Sequence, residues 1–369
     1  MQKQPKKSPG RLPHTWWVDD YRARCDEAIE VLLNSRSDRQ PRESRLEDLP
    51  QLPETGFSIG RYTNAEHYKD GLFSAVFRAH NPDAHLEVSA PGMVALKVTT
   101  LSDNTPPHDA AKEARLLKAA KGSNIIPLIE VFQQSGGRLI MVFPYMPYDL
   151  GVLLHRKQIT RDSGRAILKD MFSGLAHLHR LGIIHRDVKP PNILLASANG
   201  PAYIADFGIA WSPHDHASEL PEAKILDVGT TCYRPPEVLF GNSKYDSGLD
   251  MWAAGCVAAQ VLCLSGTTLF DAGDLGSELA LIKSIFASLG TPTLETWPEA
   301  ADFPDWGKMN FKEYPAKSWQ ELLPTADDDA VDLVKDLVVF ESSRRLTAEA
   351  ALEHKYFRGG NPQGCKPRE

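Results

Sequence analysis

The pattern of apolar and polar residues predicts that short strands dominate the first part of the chain and helices the rest. Short runs rich in apolar residues cover 72–77, 93–98, 125–132 and 138–143, which is typical of strands. A single helical pattern interrupts them after Pro107, a residue type that is tolerated at the first position of a helix. A strand-rich segment with one helix therefore precedes a helix-rich remainder.

The longest helical pattern lies in the second part of the chain. Thr160 is a preferred N-cap residue, and we expect its helix to run to Arg180 and to end at Gly182. Apolar residues recur within it at helical spacing and predict one buried face, made by Ile167, Met171, Leu175 and Leu178.

Charged segments occur near both ends of the chain. Residues 1–14 carry basic side chains and no acidic one, which predicts a basic disordered tail. Residues 15–34 predict an N-terminal helix whose apolar face packs on the chain itself or, alternatively, on a partner. Residues 35–56 are charged and contain prolines, which predicts a linker, and 358–369 form a second tail.

Composition and charge exclude some classes of protein. The 369 residues can bury a large core and suggest two domains or one bilobal unit. A content of 42% hydrophobic and 24% charged residues is ordinary for a soluble protein. The net charge of -7 provides no basic field, so we expect no nucleic-acid partner.

The longest uncharged run, 251–270, argues against a membrane span. Its apolar part is about 14 residues long, which fits a buried core helix better. The N-terminus shows no secretory apolar region, and the five cysteines show no metal-type spacing. We therefore expect reduced thiols, no membrane association, and a location in the nucleus, the cytoplasm or both.

Residues 183–195 form a polar loop between two apolar runs. Asp187 could accept a proton, Lys189 could balance charge, and Asn192 could reach a metal ion. Asp206, in the D-F-G sequence 206–208, could supply a second metal ligand. Taken alone, the loop is equally consistent with a charged surface turn between two short strands.

Further motifs fit one reaction, phosphoryl transfer. This reaction needs phosphates covered by backbone, a fixed lysine, metal ligands and an acid near the attacking hydroxyl. The chain offers V-A-L-K at 94–97, a helical Glu113, H-R-D at 185–187, D-F-G at 206–208 and P-P-E at 235–237. Each motif is weak alone, but their shared order and spacing argue strongly against coincidence.

On these motifs the chain resembles the eukaryotic protein kinases over 57–357. Within them it resembles the cyclin-dependent kinase branch, because 107–113 aligns without gaps with that branch's P-S-T-A-I-R-E helix. Residues 231–237 are similar to its T-L-W-Y-R-A-P-E, and 289–292 match its L-G-T-P.

The resemblance implies an α+β fold with two lobes. A small β-rich N-lobe with one regulatory helix would cover 57–144, and a larger, mainly helical C-lobe would cover 145–357. It also implies a serine/threonine protein kinase that uses ATP and Mg²⁺ and acts on protein substrates.

The resemblance further implies catalytic roles. Lys97 would hold the α- and β-phosphates of ATP and pair with Glu113. Asp187 would orient the substrate hydroxyl and take its proton. Lys189 would lie beside the transferring phosphate, and Thr230 would bridge Asp187 and Lys189 through its hydroxyl.

Other residues would bind the cofactors or support the site. Magnesium would be held by Asn192 and Asp206. ATP would contact Lys69, Gly71, Phe73, Val76, Ala95, Lys97, Phe143, Tyr145, Met146, Asp149 and Leu194. The apolar members of this set, Ala95 and Leu194 among them, are alternatively plain core. Structural roles would fall to Arg186, Gly208, Glu237, Asp250 and Arg345.

The glycine-rich loop departs from the kinase pattern. Aligned on Val76, it keeps only Gly71, and Lys69 and Ser74 replace the other glycines. Because glycine allows the closest approach of backbone to phosphate, we expect weakened ATP binding.

Two departures concern regulation. Ile225 stands where the branch has its activating threonine, so no phosphate can be added there to pair with Arg186. Ala111 replaces the isoleucine that docks on cyclin, which argues against cyclin dependence and for a monomer. Another brace would then be needed for the regulatory helix, and helix 15–34 is a candidate.

Both departures resemble the fungal monomeric kinases that activate cyclin-dependent kinases. The resemblance implies activity in cell-cycle or transcriptional control without activation-loop phosphorylation, with other cyclin-dependent kinases as substrates. The alternative is a pseudokinase-like scaffold with weakened ATP binding.

Overall fold

A computed structural model gives the fold of residues 56–71, 73–82, 92–101, 105–264 and 266–358. The predicted tail 1–14, the N-terminal helix 15–34, the linker up to residue 55 and the tail from residue 359 lie outside the described residues.

Antiparallel strands form a sheet of six in the order β1-β2-β3-β4-β6-β5. The strands are β1 (Phe57–Ile59), β2 (Tyr62–Asp70), β3 (Ser74–His80), β4 (Met93–Thr100), β5 (Glu130–Gln134) and β6 (Arg138–Pro144). Only the end of the predicted strand 125–132 is a strand, because Ile125 makes an isolated bridge to Ile204 outside this sheet.

The two faces of this sheet have different partners. Leu96, Ile140 and Val142 are fully buried in a core on one face. Successive side chains of a strand point to opposite faces, so Ala95 and Lys97 turn away from this core. Lys97 pairs in register with Val76, and Ala95 pairs with Phe143, which brings these four positions together on the second face.

Within the described ranges up to residue 144, one helix, α1 (Ala110–Ala119), accompanies the sheet. The prediction that it begins at Pro107 is wrong by one turn. The Asp109 carboxylate accepts a hydrogen bond from the backbone N–H of Lys112, and this cap fixes the start at Ala110. Glu113 lies on the buried side of the helix.

The described residues after 144 are mainly helical. A small sheet of β7 (Tyr148–Asp149), β8 (Ile193–Leu195) and β9 (Ala202–Ile204) lies at their start. The helices are α2 (Leu150–His155), α3 (Arg161–Arg180), α4 (Pro236–Leu239), α5 (Gly248–Cys263), α6 (Glu278–Leu289), α7 (Trp319–Leu322), α8 (Asp328–Leu337), α9 (Ala348–Leu352) and α10 (Lys355–Arg358).

The helical core is built around α5 and α3. Helix α5 is apolar on all sides and buried, and it packs against α3 and α8. Helix α3 begins with the predicted cap, because Thr160 and Ser163 form a reciprocal capping box. Its predicted buried face is confirmed, since Ile167 and Leu175 are fully buried.

The predicted α+β fold class, with a β-rich N-lobe and a helical C-lobe, is confirmed. None of the helices in the described ranges combines the length and apolar character that a bilayer span requires.

Candidate active site

Helix α5 holds the backbone of the loop 183–195 through the side chain of Asp250. The Asp250 carboxylate accepts hydrogen bonds from the backbone N–H groups of His185 and Arg186, both at 2.8 Å, and contacts His179 at 2.9 Å. Burial alone would raise the pKa of Asp250, but the hydrogen bonds and charge of His179 hold it below its ordinary value. A charged, buried acceptor therefore holds the loop backbone, including Arg186 at φ +69°.

Asp187 stands at the centre of a cluster of polar side chains. Its Oδ1 accepts a hydrogen bond from the Thr230 hydroxyl at 2.8 Å, and its Oδ2 lies 2.8 Å from Lys189 Nζ. The amide nitrogen of Asn192 also donates to Oδ2, at 2.9 Å. Lys189 donates to the Thr230 hydroxyl at 2.7 Å, so this hydroxyl bridges Lys189 and Asp187. The carboxylate is held in one orientation from several sides.

A second charged cluster joins both lobes. Lys97 Nζ lies 2.7 Å from Glu113 and 2.8 Å from Asp206. Burial, which alone would lower the pKa of Lys97, is outweighed by Asp206 and Glu113, so this pKa lies above its ordinary value. The charge of Lys97 lowers the pKa of Asp206, and burial raises the pKa of Glu113 against the same charge. Lys97 is therefore a cation at neutral pH.

The Lys97 cluster faces a cleft between the lobes, whereas Asp187, Lys189 and Thr230 do not line it and the Asp187 cluster meets it through Asn192. Of the residues predicted to contact ATP, those that line it are Lys69, Gly71, Val76, Ala95, Lys97, Phe143, Tyr145, Met146, Asp149 and Leu194. Glu113, Asn192 and Asp206 line it as well. Asp149 also caps α2 by accepting the N–H of Val152.

Phe73 is the exception among the predicted ATP contacts. It is not among the residues that line the cleft, and its ring instead lies 4.6 Å from the ring of His108, ahead of α1. The N–H of Gly71 bonds to the carbonyl of Ser74, the first residue of β3. The sequence could not reveal this, because the loop contacts a residue more than thirty positions away.

The cleft also contains residues that the sequence reasoning missed. Tyr68 lines it and lies edge-on to Tyr145, with ring centroids 6.1 Å apart. Ala205 also lines the cleft, and its place directly before Asp206 in the sequence could have marked it as a candidate. Ile126 lines the cleft as well, but it lies next to no motif that could have marked it. Further residues lining the cleft are Asp70, Ser74, Pro144, Tyr148 and Pro191.

Two ion pairs connect the segment after Asp206 to the rest of the site, and neither was predicted. Arg186 is fully buried and bonds to the Glu219 carboxylate at 3.0 and 3.5 Å. Arg115 of α1 bonds to both oxygens of Asp215 at 2.7 and 2.9 Å. The sequence marked these side chains only as charged, and the pairing depends on how the segment folds back.

Ile225, where the sequence lacks a threonine, is part of a small apolar cluster. It packs against buried residues that include Val228 and Tyr245, and its carbonyl accepts the Tyr245 hydroxyl at 2.7 Å. The segment is therefore held at this position by apolar packing and a neutral hydrogen bond.

Three further residues were predicted to have structural roles: Gly208, which lies in the site, and the pair of Glu237 and Arg345, which lies in the helical lobe. A Cβ atom at Gly208 would come within 3.2 Å of Asp206 Oδ1 and 3.6 Å of Glu113 Oε2, so a side chain there would crowd both carboxylates. Arg345 and Glu237 form a buried bidentate pair at 2.6 and 2.7 Å.

The donor set near Asp187 suits a hard cation. The Asp206 side chain is 48% exposed and its carboxylate is ionised, and oxygen ligands are those that Mg²⁺ prefers. The amide nitrogen of Asn192 is engaged with Asp187, so its amide oxygen is the atom that can ligate a cation.

Comparisons with known proteins agree with this geometry. The family model described as "Protein kinase domain" matches residues 62–357. The serine/threonine-protein kinase csk1 of Schizosaccharomyces pombe is 35% identical over 304 residues, which cover 80% of this chain and 95% of csk1. Cyclin-dependent kinase 20 of Danio rerio is 33% identical over 293 residues, which cover 78% of this chain and 80% of that protein.

A solved structure is similar as well. It is the crystal structure of the yeast RNA Pol II CTD kinase CTDK-1 complex, in which one chain matches with a TM-score of 0.69 and 26% identity. The match covers 85% of this chain and 98% of that one.

Proposed function

The chain belongs to the protein kinase family, as a serine/threonine kinase of the cyclin-dependent kinase branch, and from this premise we propose that it phosphorylates other cyclin-dependent kinases on activation-segment threonines. It does so as a monomer, without phosphorylation of its own activation segment, in the nucleus, the cytoplasm or both.

The observation that carries the catalytic part is that the Lys97 cluster lines the cleft and that Asn192, which also lines it, bonds to the Asp187 carboxylate. Lys97, held by Glu113 and Asp206, would contact the α- and β-phosphates of ATP. Asp187 would orient the substrate hydroxyl and accept its proton, because its carboxylate is fixed by Thr230 and Lys189. Positioning and charge stabilisation of this kind supply most of the acceleration of phosphoryl transfer.

Residues on the cleft walls would bind the rest of the nucleotide. Ala95, Val76 and Leu194 would contact the adenine from both lobes, and Asp149 would meet the ribose. Asn192 and Asp206 would hold Mg²⁺, which when bound neutralises charge on the phosphates. Lys189, beside Asp187, would face the transferring phosphate.

Activity without an activating phosphate is supported by the activation segment itself, the stretch between the motifs at 206–208 and 235–237. A side chain without a hydroxyl occupies position 225, and its neighbours are apolar. Arg186, which lies next to Asp187, is already paired with a carboxylate of the same chain. These contacts would hold the segment in place without any added phosphate.

Phosphatase treatment is accordingly expected to leave kcat unchanged. The purified protein would be treated, its dephosphorylation checked by mass spectrometry, and its initial rate of phosphate transfer compared with that of an untreated sample. A kinase that requires an activation-segment phosphate, treated in parallel, serves as the control and should lose its activity. Loss of activity in this chain as well would refute the proposal.

Activity without cyclin is supported by the contacts of α1. Ala111 in place of isoleucine would forfeit about 2 kcal/mol of apolar burial at a cyclin interface. Within this one chain Lys97 and Glu113 are already paired. The bidentate pair of Arg115 and Asp215 supplies a brace between α1 and the activation segment.

The substrate class is tested with cyclin-dependent kinases as acceptors. Each acceptor would be made catalytically dead and offered in two forms, with its activation-segment threonine present or replaced by alanine. The proposal requires phosphate incorporation into the threonine form alone, with no increase when a cyclin is added. Equal incorporation into both forms would place the target elsewhere.

The alternative, a pseudokinase-like scaffold, is favoured by the phosphate loop. Gly71 is the single glycine of the loop, and Ser74 lies beside it, with its Oγ 2.8 Å from where a Cβ of residue 71 would be. Side chains at 69 and 74 limit how closely the backbone can approach phosphate. This feature predicts weak ATP binding rather than its loss.

Replacing Ser74 with glycine is expected to lower the KM for ATP several-fold with little change in kcat. The reason is that the hydroxymethyl group no longer separates the loop backbone from the phosphates. Initial rates at varied ATP measure this effect, and Ser58→Gly, at an exposed position of β1, is the matched control. A wild-type KM in the low micromolar range would contradict weakened binding.

A further inference from the structure

The buried guanidinium of Arg186 has a charge partner inside the activation segment. The Arg186 side chain is 0% exposed, and its Nη1 and Nη2 reach the two oxygens of Glu219 at 3.0 and 3.5 Å. A buried cation without an anion is strongly destabilising, so Arg186 can occupy this position only if a negative charge accompanies it.

Two lysines increase the positive charge around this pair. Lys112 of α1 is buried and acts by its charge on Glu219. Lys224 is also buried, and its Nζ lies 4.8 Å from the ring centre of Trp211 and 5.2 Å from that of Tyr245. Burial lowers the pKa of both lysines, and the charge of Arg186 lowers that of Lys224 further.

Glu219 is held in place at its backbone as well as at its side chain. The indole N–H of Trp211 donates to the Glu219 carbonyl at 2.9 Å. Although burial would raise the pKa of Glu219, the charge of Arg186 and its hydrogen bonds keep it below its ordinary value. The carboxylate is thus an anion at neutral pH, and it is positioned where basic side chains from α1, the loop 183–195 and the activation segment meet.

We propose that Glu219 is a positioning residue, whose carboxylate is the built-in anion that fixes Arg186 and with it the active arrangement of the activation segment. The proposal deepens the proposed function, on which it rests, by assigning activity without phosphorylation to one residue. Phosphate groups and carboxylates both pair with a guanidinium through two oxygens, so a glutamate can fill this role permanently.

The effect would reach the reaction through two connections. Arg186 is the neighbour of Asp187, and Asp250 holds its backbone N–H. The segment that contains Glu219 continues to Thr230, which bonds to Asp187 through both its hydroxyl and its N–H. Releasing Glu219 would loosen these two connections to Asp187 without removing any group that is proposed to contact ATP.

The test compares Glu219→Gln with Glu219→Asp and with the control Glu222→Gln. Glu222 is on the same segment, but its side chain is 75% exposed and faces the exposed Lys244. Two experiments are made on the full chain: steady-state kinetics, which give kcat and the KM for ATP, and hydrogen–deuterium exchange of the backbone amides of 212–229.

Glu219→Gln is expected to lower kcat roughly ten- to a hundredfold with an unchanged KM for ATP, because misplacement by an ångström has effects of this size. Exchange across 212–229 should become about tenfold faster, since it follows the open fraction of the segment. Glu219→Asp, which keeps the charge on a shorter side chain, should recover part of both effects, and Glu222→Gln should match wild type.

A double variant tests whether Glu219 acts through Arg186. In an Arg186→Gln background, adding Glu219→Gln should change kcat and exchange no further, because the interaction is already lost. Wild-type kcat or wild-type exchange in Glu219→Gln, or additive effects in the double variant, would overturn the proposal. If wild type itself transferred no phosphate, the proposed function would fail, while exchange and its non-additivity would still decide whether Glu219 holds the segment.

Discussion

Asp187→Asn is expected to lower kcat by about 10² to 10⁴-fold, the range that a positioned general base contributes. Asparagine has nearly the same shape, and its one oxygen can keep the hydrogen bond from Thr230, although its amide nitrogen cannot accept one from Lys189. The substitution removes the negative charge and the ability to accept the proton of the substrate hydroxyl. The chemical step should therefore fail while the fold and the KM for ATP remain.

The measurement is the rate of γ-phosphate transfer to a protein substrate, with ATP affinity and thermal unfolding determined in parallel. Asp274→Asn, the same chemical change on an exposed loop, is the matched control and should keep wild-type kcat. Equal phosphate incorporation by wild type and Asp187→Asn would remove this carboxylate from the reaction. In that case the pseudokinase-like scaffold would describe the chain better than an active kinase.

Arg345→Met is expected to destabilise the protein by about 3 to 5 kcal/mol, the cost of leaving one partner of a buried ion pair alone. The Arg345 side chain is 0% exposed and that of Glu237 1% exposed. Arg345 also donates to the carbonyls of Gly248 and Val339 and lies 5.0 Å from the ring of Trp252. Without it, a carboxylate and several carbonyls would be buried without their donor.

Urea unfolding of the variant measures this loss as a lower midpoint. The neighbouring Arg344 is exposed, so Arg344→Met makes the same change outside the core and should unfold close to wild type. Adding Glu237→Leu to Arg345→Met should recover part of the loss, because no unpaired charge then remains buried. A midpoint shared by Arg345→Met and Arg344→Met would contradict a structural role for the pair.

Most of the secondary structure and the catalytic candidates could be predicted because their signals are local. Thr160 caps α3 through atoms three residues away, and the buried face of that helix follows from a repeat within it. Predictions failed where a local alternative existed. Both Pro107 and Asp109 can begin a helix, and the hydrogen bond of Asp109 to Lys112 decided the start of α1.

The sequence by itself determined the family, the two-lobed fold and the identity of the charged groups in and beside the cleft, since Lys97, Asp187 and Asp206 lie in short motifs. Only the tertiary structure decided how the chain satisfies its buried charges. Arg186 meets Glu219 across 33 positions, and Arg115 meets Asp215 across 100. No periodicity links such residues, because their partnership depends on the path of the backbone between them and on the need to neutralise a charge removed from water.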